Sequence, residues 1–475
     1  MGTNLRITDR HWDTLRKRCA ASFRSWTSKE TGAIALFGRS VTESSRDLLV
    51  SEILWPGPGD IKEAGTGNLV FDGSYIRRAH MLVRERRLAG LLFIHTHPHQ
   101  DETASFSPYD DSEEPELVAN LCEIEPQTTV ASIVLSKHAQ FGRYYEGETC
   151  EPMQRIFVVG ETLRELSLTG TAPQPPPSPA SIFDRGRALT GNGALARLAG
   201  MTVGVVGASG TGSLMVEFLV RAGCGRIVLI DSDLVKDVNL NRILHASVWD
   251  AETRQPKVEV LRREVTWKGL RCEVRSIKGS ILDERVLAEL KTCQLVIGCV
   301  DRALPREVLC KLSQQYLLPY LDLGTEIGGT EESGIASVDS RVSYVTPDRP
   351  CLFCMGVVDS RQLSFESLSR EERKRRLALG YSDDLVMTQP AVMDLNARAS
   401  SMAMMWARHL LQPFMASLPL AVYENLITLT TRSISSPRAA TQNCSICAAN
   451  RYRGLGDMGP RLGYDELTAA SFMDD

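Results

Sequence analysis

Apolar residues along the chain fall into short runs of strand length, separated by stretches of mixed character at helical spacing. Runs at 32–37 (GAIALF), 90–95 (GLLFIH) and 128–135 (TTVASIVL) predict strands, and residues 74–85 and 112–122 suit helices. From residue 202 the pattern becomes strand, glycine-rich loop, helix and strand, at 202–206, 207–212, 213–222 (stopped by Gly223) and 226–231. Apolar runs at 294–300 and 320–323 add two buried strands, and this alternation implies a parallel sheet with helices on its faces. A long helix is predicted over 391–411, between Pro390 and Pro413. Residues 169–181 (TGTAPQPPPSPAS) are uncharged and proline-rich, the composition of an extended spacer. The predicted organisation is α/β in both parts: a domain at 1–165, a linker at 166–182, a larger domain at 183–450 and a tail at 451–475.

Composition narrows the function classes. The 475 residues carry 54 Lys plus Arg against 58 Asp plus Glu, a net charge of -4, which argues against a chain-wide nucleic-acid surface. A hydrophobic fraction of 43% with 24% charged residues excludes a mainly disordered or fibrous chain. No apolar run approaches the roughly 18 residues of a membrane span. The first residues lack a signal peptide's apolar core, and Arg6 stands where a myristoylation signal needs Ser or Thr. The expectation is a cytoplasmic protein with no membrane or nucleic-acid partner. In that reducing compartment the twelve cysteines are not a disulfide framework. Four of them form the Cys-x-x-Cys pairs Cys351/Cys354 and Cys444/Cys447, which point to metal or thiol chemistry, and a redox role would not require two copies.

The first domain holds FIHTHPHQDETASFSPYDD, with His95, His97, Ser107 and Asp110. Histidines one residue apart at a strand end point the same way. Two imidazoles and a carboxylate leave the fourth position of a zinc ion open for water, as hydrolysis requires. This order, His-x-His-Pro followed by Ser-x-x-Asp, resembles the JAMM motif of JAB/MPN-domain metalloproteases, which cleave bonds after the C-terminus of ubiquitin and ubiquitin-like proteins. The resemblance implies that Glu30, at the head of ETGAIALFG, is the general acid/base, with Glu52 as its competitor. It also implies that Ser107 supports the oxyanion. His99 is either a surface residue or a substitute ligand.

In the second domain GVVGASGTGS places Gly207, Gly210 and Gly212 between a strand and a helix, where backbone N–H groups can hold phosphate. Asp231 ends the next strand, at the position of a ribose-binding acid. Asn239, Arg242, Lys257 and Asp301 follow, a set suited to a triphosphate with magnesium. Their order resembles ThiF/MoeB/HesA proteins and the adenylation domains of ubiquitin-activating enzymes, over residues 183–450. The resemblance implies a Rossmann-like fold in which Asp231 binds ribose and Asn239, Arg242 and Lys257 address the phosphates of ATP. It implies further that Asp301 holds magnesium and that Arg185 reaches the partner's ATP site across a homodimer. The same resemblance implies that the four thiolates of Cys351, Cys354, Cys444 and Cys447 hold a closed, structural zinc. Ser209 replaces a usual glycine, and Arg302 replaces the usual Asn after Asp301.

Relatives often carry a nucleophilic cysteine between the two zinc pairs, but residues 355–443 contain none. The five cysteines Cys224, Cys272, Cys293, Cys299 and Cys310 read as core thiols, REERKRRL at 370–377 as a solvated helix face or a contact for an acidic carrier, and SMAMMW at 401–406 as helix core. Together these resemblances imply an enzyme that trims a ubiquitin-like protein and adenylates its Gly-type C-terminus for transfer to a conjugating enzyme's thiol. Such fusions resemble parts of bacterial conjugation operons, some implicated in phage defence. Two other readings stay open: activation of a sulfur-carrier protein that receives sulfur from a donor, and a non-catalytic scaffold in one or both domains.

Overall fold

The computed structural model describes residues 1–25, 27–147, 149–170, 181–330, 334–378, 391–435, 443–448 and 451–472. Most of the spacer predicted at 169–181, and Pro390, lie outside them. The chain divides into two compact units, the first made of Met1–Pro175 with Gln315–Leu317 and Tyr452–Pro460, and the second of the remainder. The stretch at 451–475 is thus not a separate tail. Within the first unit, Gly456 bridges to Arg39 and Asp457 Oδ2 accepts from the Val41 N–H at 2.8 Å.

The strands of the first unit are β1 (Gly2–Thr8), β2 (Gly32–Val41), β3 (Ser45–Leu54), β4 (Ile61–Ala64), β5 (Leu69–Phe71), β6 (Gly90–Thr96), β7 (Thr129–Leu135), β8 (Gln140–Glu146), β9 (Thr149–Val159) and β10 (Leu163–Ser167). Its long helices are α1 (Asp9–Cys19), α2 (Gly73–Glu85) and α3 (Pro108–Ile124). The large sheet runs β1-β3-β2-β6-β7-β8-β9-β10, and β1 also pairs with β9, so the sheet closes on itself. The apolar run at 32–37 is continuous because β2 is buried on both faces. Ala33, Ala35 and Phe37 enter a core with Trp12 and Leu15 of α1, whereas Ile34 and Leu36 pack with Tyr75 of α2 and Val118 of α3.

The second unit holds β11 (Thr202–Val206), β12 (Arg226–Asp231), β13 (Glu273–Lys278), β14 (Leu295–Gly298), β15 (Tyr320–Thr330), β16 (Gly334–Val345), β17 (Ala421–Asn425) and β18 (Thr430–Ile434). Its helices are α4 (Asp184–Gly200), α5 (Gly210–Ala222), α6 (Val248–Glu252), α7 (Lys257–Lys268), α8 (Glu284–Glu289), α9 (Ala303–Tyr316), α10 (Ser360–Glu366), α11 (Arg370–Ala378), α12 (Met393–Leu411) and α13 (Glu466–Ser471). The sheet order is β13-β12-β11-β14-β15-β16-β17-β18, parallel from β13 to β15 and antiparallel beyond. Three expectations shift. Helix α5 starts at Gly210, not residue 213, and ends where Gly223 turns left-handed (φ 90°). Strand β15 continues to Thr330 because its polar half pairs with β16 in a hairpin, which no apolar run announces. On α11 the charge run is not uniformly solvated: Arg373 is buried and donates to the carbonyls of Glu366, Leu368 and Phe472.

Candidate functional site

In the first unit, β2 and β6 pair antiparallel with Gly32 opposite His95, which brings the start of β2 beside the end of β6. Thr31 and Thr96 lock that corner: the Thr96 N–H donates to the Thr31 carbonyl, and the Thr31 N–H donates to Thr96 Oγ1 at 3.0 Å. Glu30, His95 and His97 therefore converge, and a ligand atom from each lies within 4.8 Å of the others. His95 Nε2 and His97 Nε2 are 3.1 Å apart. Asp110 arrives from α3, with Oδ1 3.3 Å from His95 Nε2 and Oδ2 3.3 Å from His97 Nε2. Glu30 Oε1 stands 3.8 Å from His97 Nε2.

Asp110 is held in this pose from both sides. Ser107 caps α3, and its N–H and Oγ donate to Asp110 Oδ2 at 2.7 and 2.8 Å. The hydroxyl expected to support an oxyanion donates to Asp110 and accepts from its N–H. Arg143 donates to the Asp110 carbonyl and Asp111 Oδ1, pairs with Glu114, and stacks 3.7 Å over Phe106, which packs against His95. No sequence motif flags Arg143. His99 is exposed and stacks on His97, and Glu52 of β3 pairs with Arg86 at the end of α2, so neither joins the cluster.

Burial pushes the Glu30 carboxyl up to about 7, against the pull of His97. Burial would also raise Asp110, but hydrogen bonds with His95 and His97 outweigh it and hold this carboxyl well below the usual range. Among the described residues, Glu30 Oε1 and His97 Nδ1 are buried without a hydrogen-bond partner. Two imidazoles and two carboxylates turned toward one another, with an orphaned oxygen among them, are a donor set that fits zinc.

The second unit's constellation sits where the strand order reverses, between β11 and β14, the usual ligand crevice of such sheets. Gly207 (φ 98°) follows β11, and a Cβ there would meet the Cys299 carbonyl oxygen at 2.4 Å. A Cβ on Gly212 would fall 1.8 Å from the Gly207 oxygen, so the α5 turn packs directly on the strand exit. Gly212→Ala is therefore expected to destabilise the chain by about 1–3 kcal/mol in urea unfolding, and wild-type stability would show that this contact yields easily. Asp231 staples the turn, with Oδ2 accepting from the Ala208 N–H (2.6 Å) and Oδ1 from the Asp233 N–H (2.8 Å). Lys257 is buried at the start of α7, with Nζ 2.7 Å from Asp233 Oδ2.

The other predicted residues have the following surroundings. Asn239 is buried and accepts from the Lys236 N–H at 3.1 Å, whereas the Arg242 side chain donates to the Val238 carbonyl at 2.6 Å. Asp301 is exposed beyond β14, and Arg185 is exposed in the first turn of α4. Arg302, standing where Asn was expected, donates to the Phe472 carbonyl (2.9 Å) and so ties the chain's last helix. Sequence reasoning missed Arg306, which donates to the carbonyls of Val300 and Asp301 and pairs with fully buried Asp322, fixing the Asp301 loop. Cys351 and Cys354 meet Cys444 and Cys447, with Sγ separations of 3.6 Å (351–444) and 3.5 Å (354–447). All four sulfurs lie within 4.8 Å, the donor set of a closed zinc site.

Comparison with known proteins bears on the second unit. The ThiF family model matches residues 183–447. The tRNA threonylcarbamoyladenosine dehydratase of Bacillus subtilis is 38% identical over 102 residues, 22% of this chain and 39% of that protein. The molybdopterin-synthase adenylyltransferase of Escherichia coli is 32% identical over 106 residues, 22% of this chain and 41% of that protein. The chain thus spans less than half the length of these curated relatives. Among solved structures, E. coli MccB with succinimide aligns over 57% of this chain and 75% of its own, at 17% identity and a TM-score of 0.44. Among the described residues, no helix is long and apolar enough to cross a membrane.

Proposed function

Because the chain belongs to the ThiF family, we propose that its second unit is an adenylyltransferase that activates a substrate carboxylate with ATP. A carboxylate oxygen bonds to the α-phosphorus, the bond from that phosphorus to the β-bridging oxygen breaks, and pyrophosphate leaves. The observation that carries this reading is the glycine turn at the strand-order switch, stapled by Asp231 and faced by the N-terminus of α5. Asp231 binds the ribose, Lys257, Arg242 and Asn239 address the phosphates, and Asp301 holds the magnesium that travels with ATP. Arg185 serves the ATP site of a partner chain in a homodimer.

The substrate is the Gly-type C-terminus of a ubiquitin-like or sulfur-carrier protein in the cytoplasm. With no cysteine between 355 and 443, the acyl group passes to a thiol on another protein, a conjugating enzyme. The same gap suits a sulfur donor, which would make a thiocarboxylate instead. The closed four-cysteine set holds a structural zinc.

For the first unit we propose a JAMM-type zinc peptidase acting on the same class of carrier, supported by the convergence of Glu30, His95, His97 and Asp110. Zinc bound by His95, His97 and Asp110 supplies a Lewis acid and a water of lowered pKa. Glu30 holds the proton taken from the attacking water and returns it to the leaving amine. Ser107 and Arg143 keep Asp110 in place.

The experiment is carrier-dependent ATP–pyrophosphate exchange. Wild type exchanges, and Asp301→Ala loses about 10²-fold or more, the scale of a removed electrostatic stabiliser. Absence of exchange with every Gly-ending carrier tried, or full activity in the variant, counts against the assignment.

A further inference from the structure

The N-terminus of α5 carries one unexplained group. Its first turn has no acidic residue, and Ser209, at the cap position, makes no side-chain capping bond. The 13-residue helix thus presents backbone N–H groups and the positive end of its dipole to the crevice at the strand switch. Into the same place comes Asn396 from α12. Its residue is only 3% exposed, yet among the described residues its Nδ2 donates no hydrogen bond. Nδ2 lies 2.1 Å from where a Cβ on Gly210 would stand, so glycine at the first position of α5 is what makes room for the amide.

The amide's orientation is set from behind. Thr325 Oγ1 on β15 donates to Asn396 Oδ1 at 3.1 Å, and Nδ2 is the amide end nearer the helix terminus, 2.1 Å from the Gly210 Cβ position against 3.5 Å for Oδ1. Ser400, one turn along α12, donates to the Thr211 carbonyl at 3.1 Å and clamps the two helices together. The amide N–H of this largely buried residue is aimed at an uncapped helix start, where an acceptor brought by a ligand would complete both. An anion fits there in hydrogen bonding, because both the helix terminus and the amide nitrogen offer donors.

We propose that Asn396 is a side-chain donor to a phosphate oxygen of the nucleotide bound at the N-terminus of α5, oriented for that contact by Thr325. This rests on the adenylation reading of the same crevice and adds a residue from α12 that lies outside the glycine turn and the charged set. Asn396 binds, and Thr325 positions it.

The test measures binding of adenosine, AMP and α,β-methylene-ATP to the full-length chain by calorimetry, with thermal unfolding in parallel. Asn396→Asp is nearly isosteric and reverses the sign of the interaction. It is expected to weaken AMP and the ATP analogue at least tenfold while adenosine affinity changes less than twofold. Because a carboxylate at a helix N-terminus is favourable, the Tm of this variant should hold or rise. Asn396→Ala, which removes the donor without adding charge, weakens the phosphate-bearing ligands less, and Thr325→Val shifts them in the same direction. Equal losses for adenosine and AMP would make Asn396 a packing residue and overturn the proposal, as would unchanged AMP affinity in a folded Asn396→Asp chain. If the wild type binds none of the three ligands, the adenylation reading itself fails.

Discussion

Cys447→Ser is expected to release one equivalent of zinc per chain and to lower the melting temperature by about 8–16 °C. The figure follows from losing more than about 4 kcal/mol, the range diagnostic of a broken metal site, at ~2–4 °C per kcal/mol for a domain of this size. The cause is the long reach of the cluster. Cys351 and Cys354 lie 93 positions before Cys444 and Cys447, and their sulfurs stand 3.6 and 3.5 Å from those partners. A metal there closes a long loop that the unfolded chain leaves open. Hydrogen bonding between the Cys351 and Cys447 thiols lowers the second and raises the first, so the proton is shared within the cluster and a metal would displace it. Unchanged zinc content and Tm in the variant would make the cluster four ordinary thiols.

The second large effect separates two carboxylates. Glu30 and Asp110 both face the histidine pair, and distance ranks them. Asp110 reaches both imidazoles at 3.3 Å, while Glu30 reaches only His97, at 3.8 Å. Asp110→Ala is therefore expected to strip the zinc of the first unit. Glu30→Gln should keep that zinc and lose about 10²–10⁴ of the rate of cleaving a carrier fused through its C-terminal Gly, the usual span for general acid–base catalysis. Metal analysis beside a cleavage assay reads both outcomes. Zinc lost from Glu30→Gln but kept in Asp110→Ala would exchange the two roles.

The groups in each site were legible to different degrees. His95, His97, Ser107 and Asp110 share one short segment, so strand alternation and a capping motif suffice to bring them near one another. Glu30 lies more than sixty positions earlier and joins them only because β2 and β6 pair with Gly32 opposite His95. Glu52 has the same chemistry and a similar sequence context, and the β3 register sends it to Arg86 instead. In the second unit, Gly207 and Asp231 follow from the strand pattern, since β11 and β12 end at Val206 and Asp231 as the apolar runs predict. Arg306 and Asn396 carry no local signal. Each is an ordinary polar residue on a helix until α9 and α12 are docked, and only then do they face a loop carbonyl and a helix terminus.

What the sequence by itself determined was therefore the local chemistry: alternating α and β elements, the donor types of two side-chain clusters whose chemistry fits zinc, and an order of residues resembling the ThiF family, whose model the chain matches. Short-range rules suffice for these because strand period, helix stops and ligand spacing act over a few residues. Tertiary structure alone decided which of several equivalent carboxylates faces the histidines, that Ser107 serves Asp110, that Arg373 is buried within a charge run, and that Gly210 yields its side-chain space to Asn396. Those outcomes depend on sheet register and helix docking, where burial of distant apolar faces sets the position and each polar group takes the partner that position leaves it.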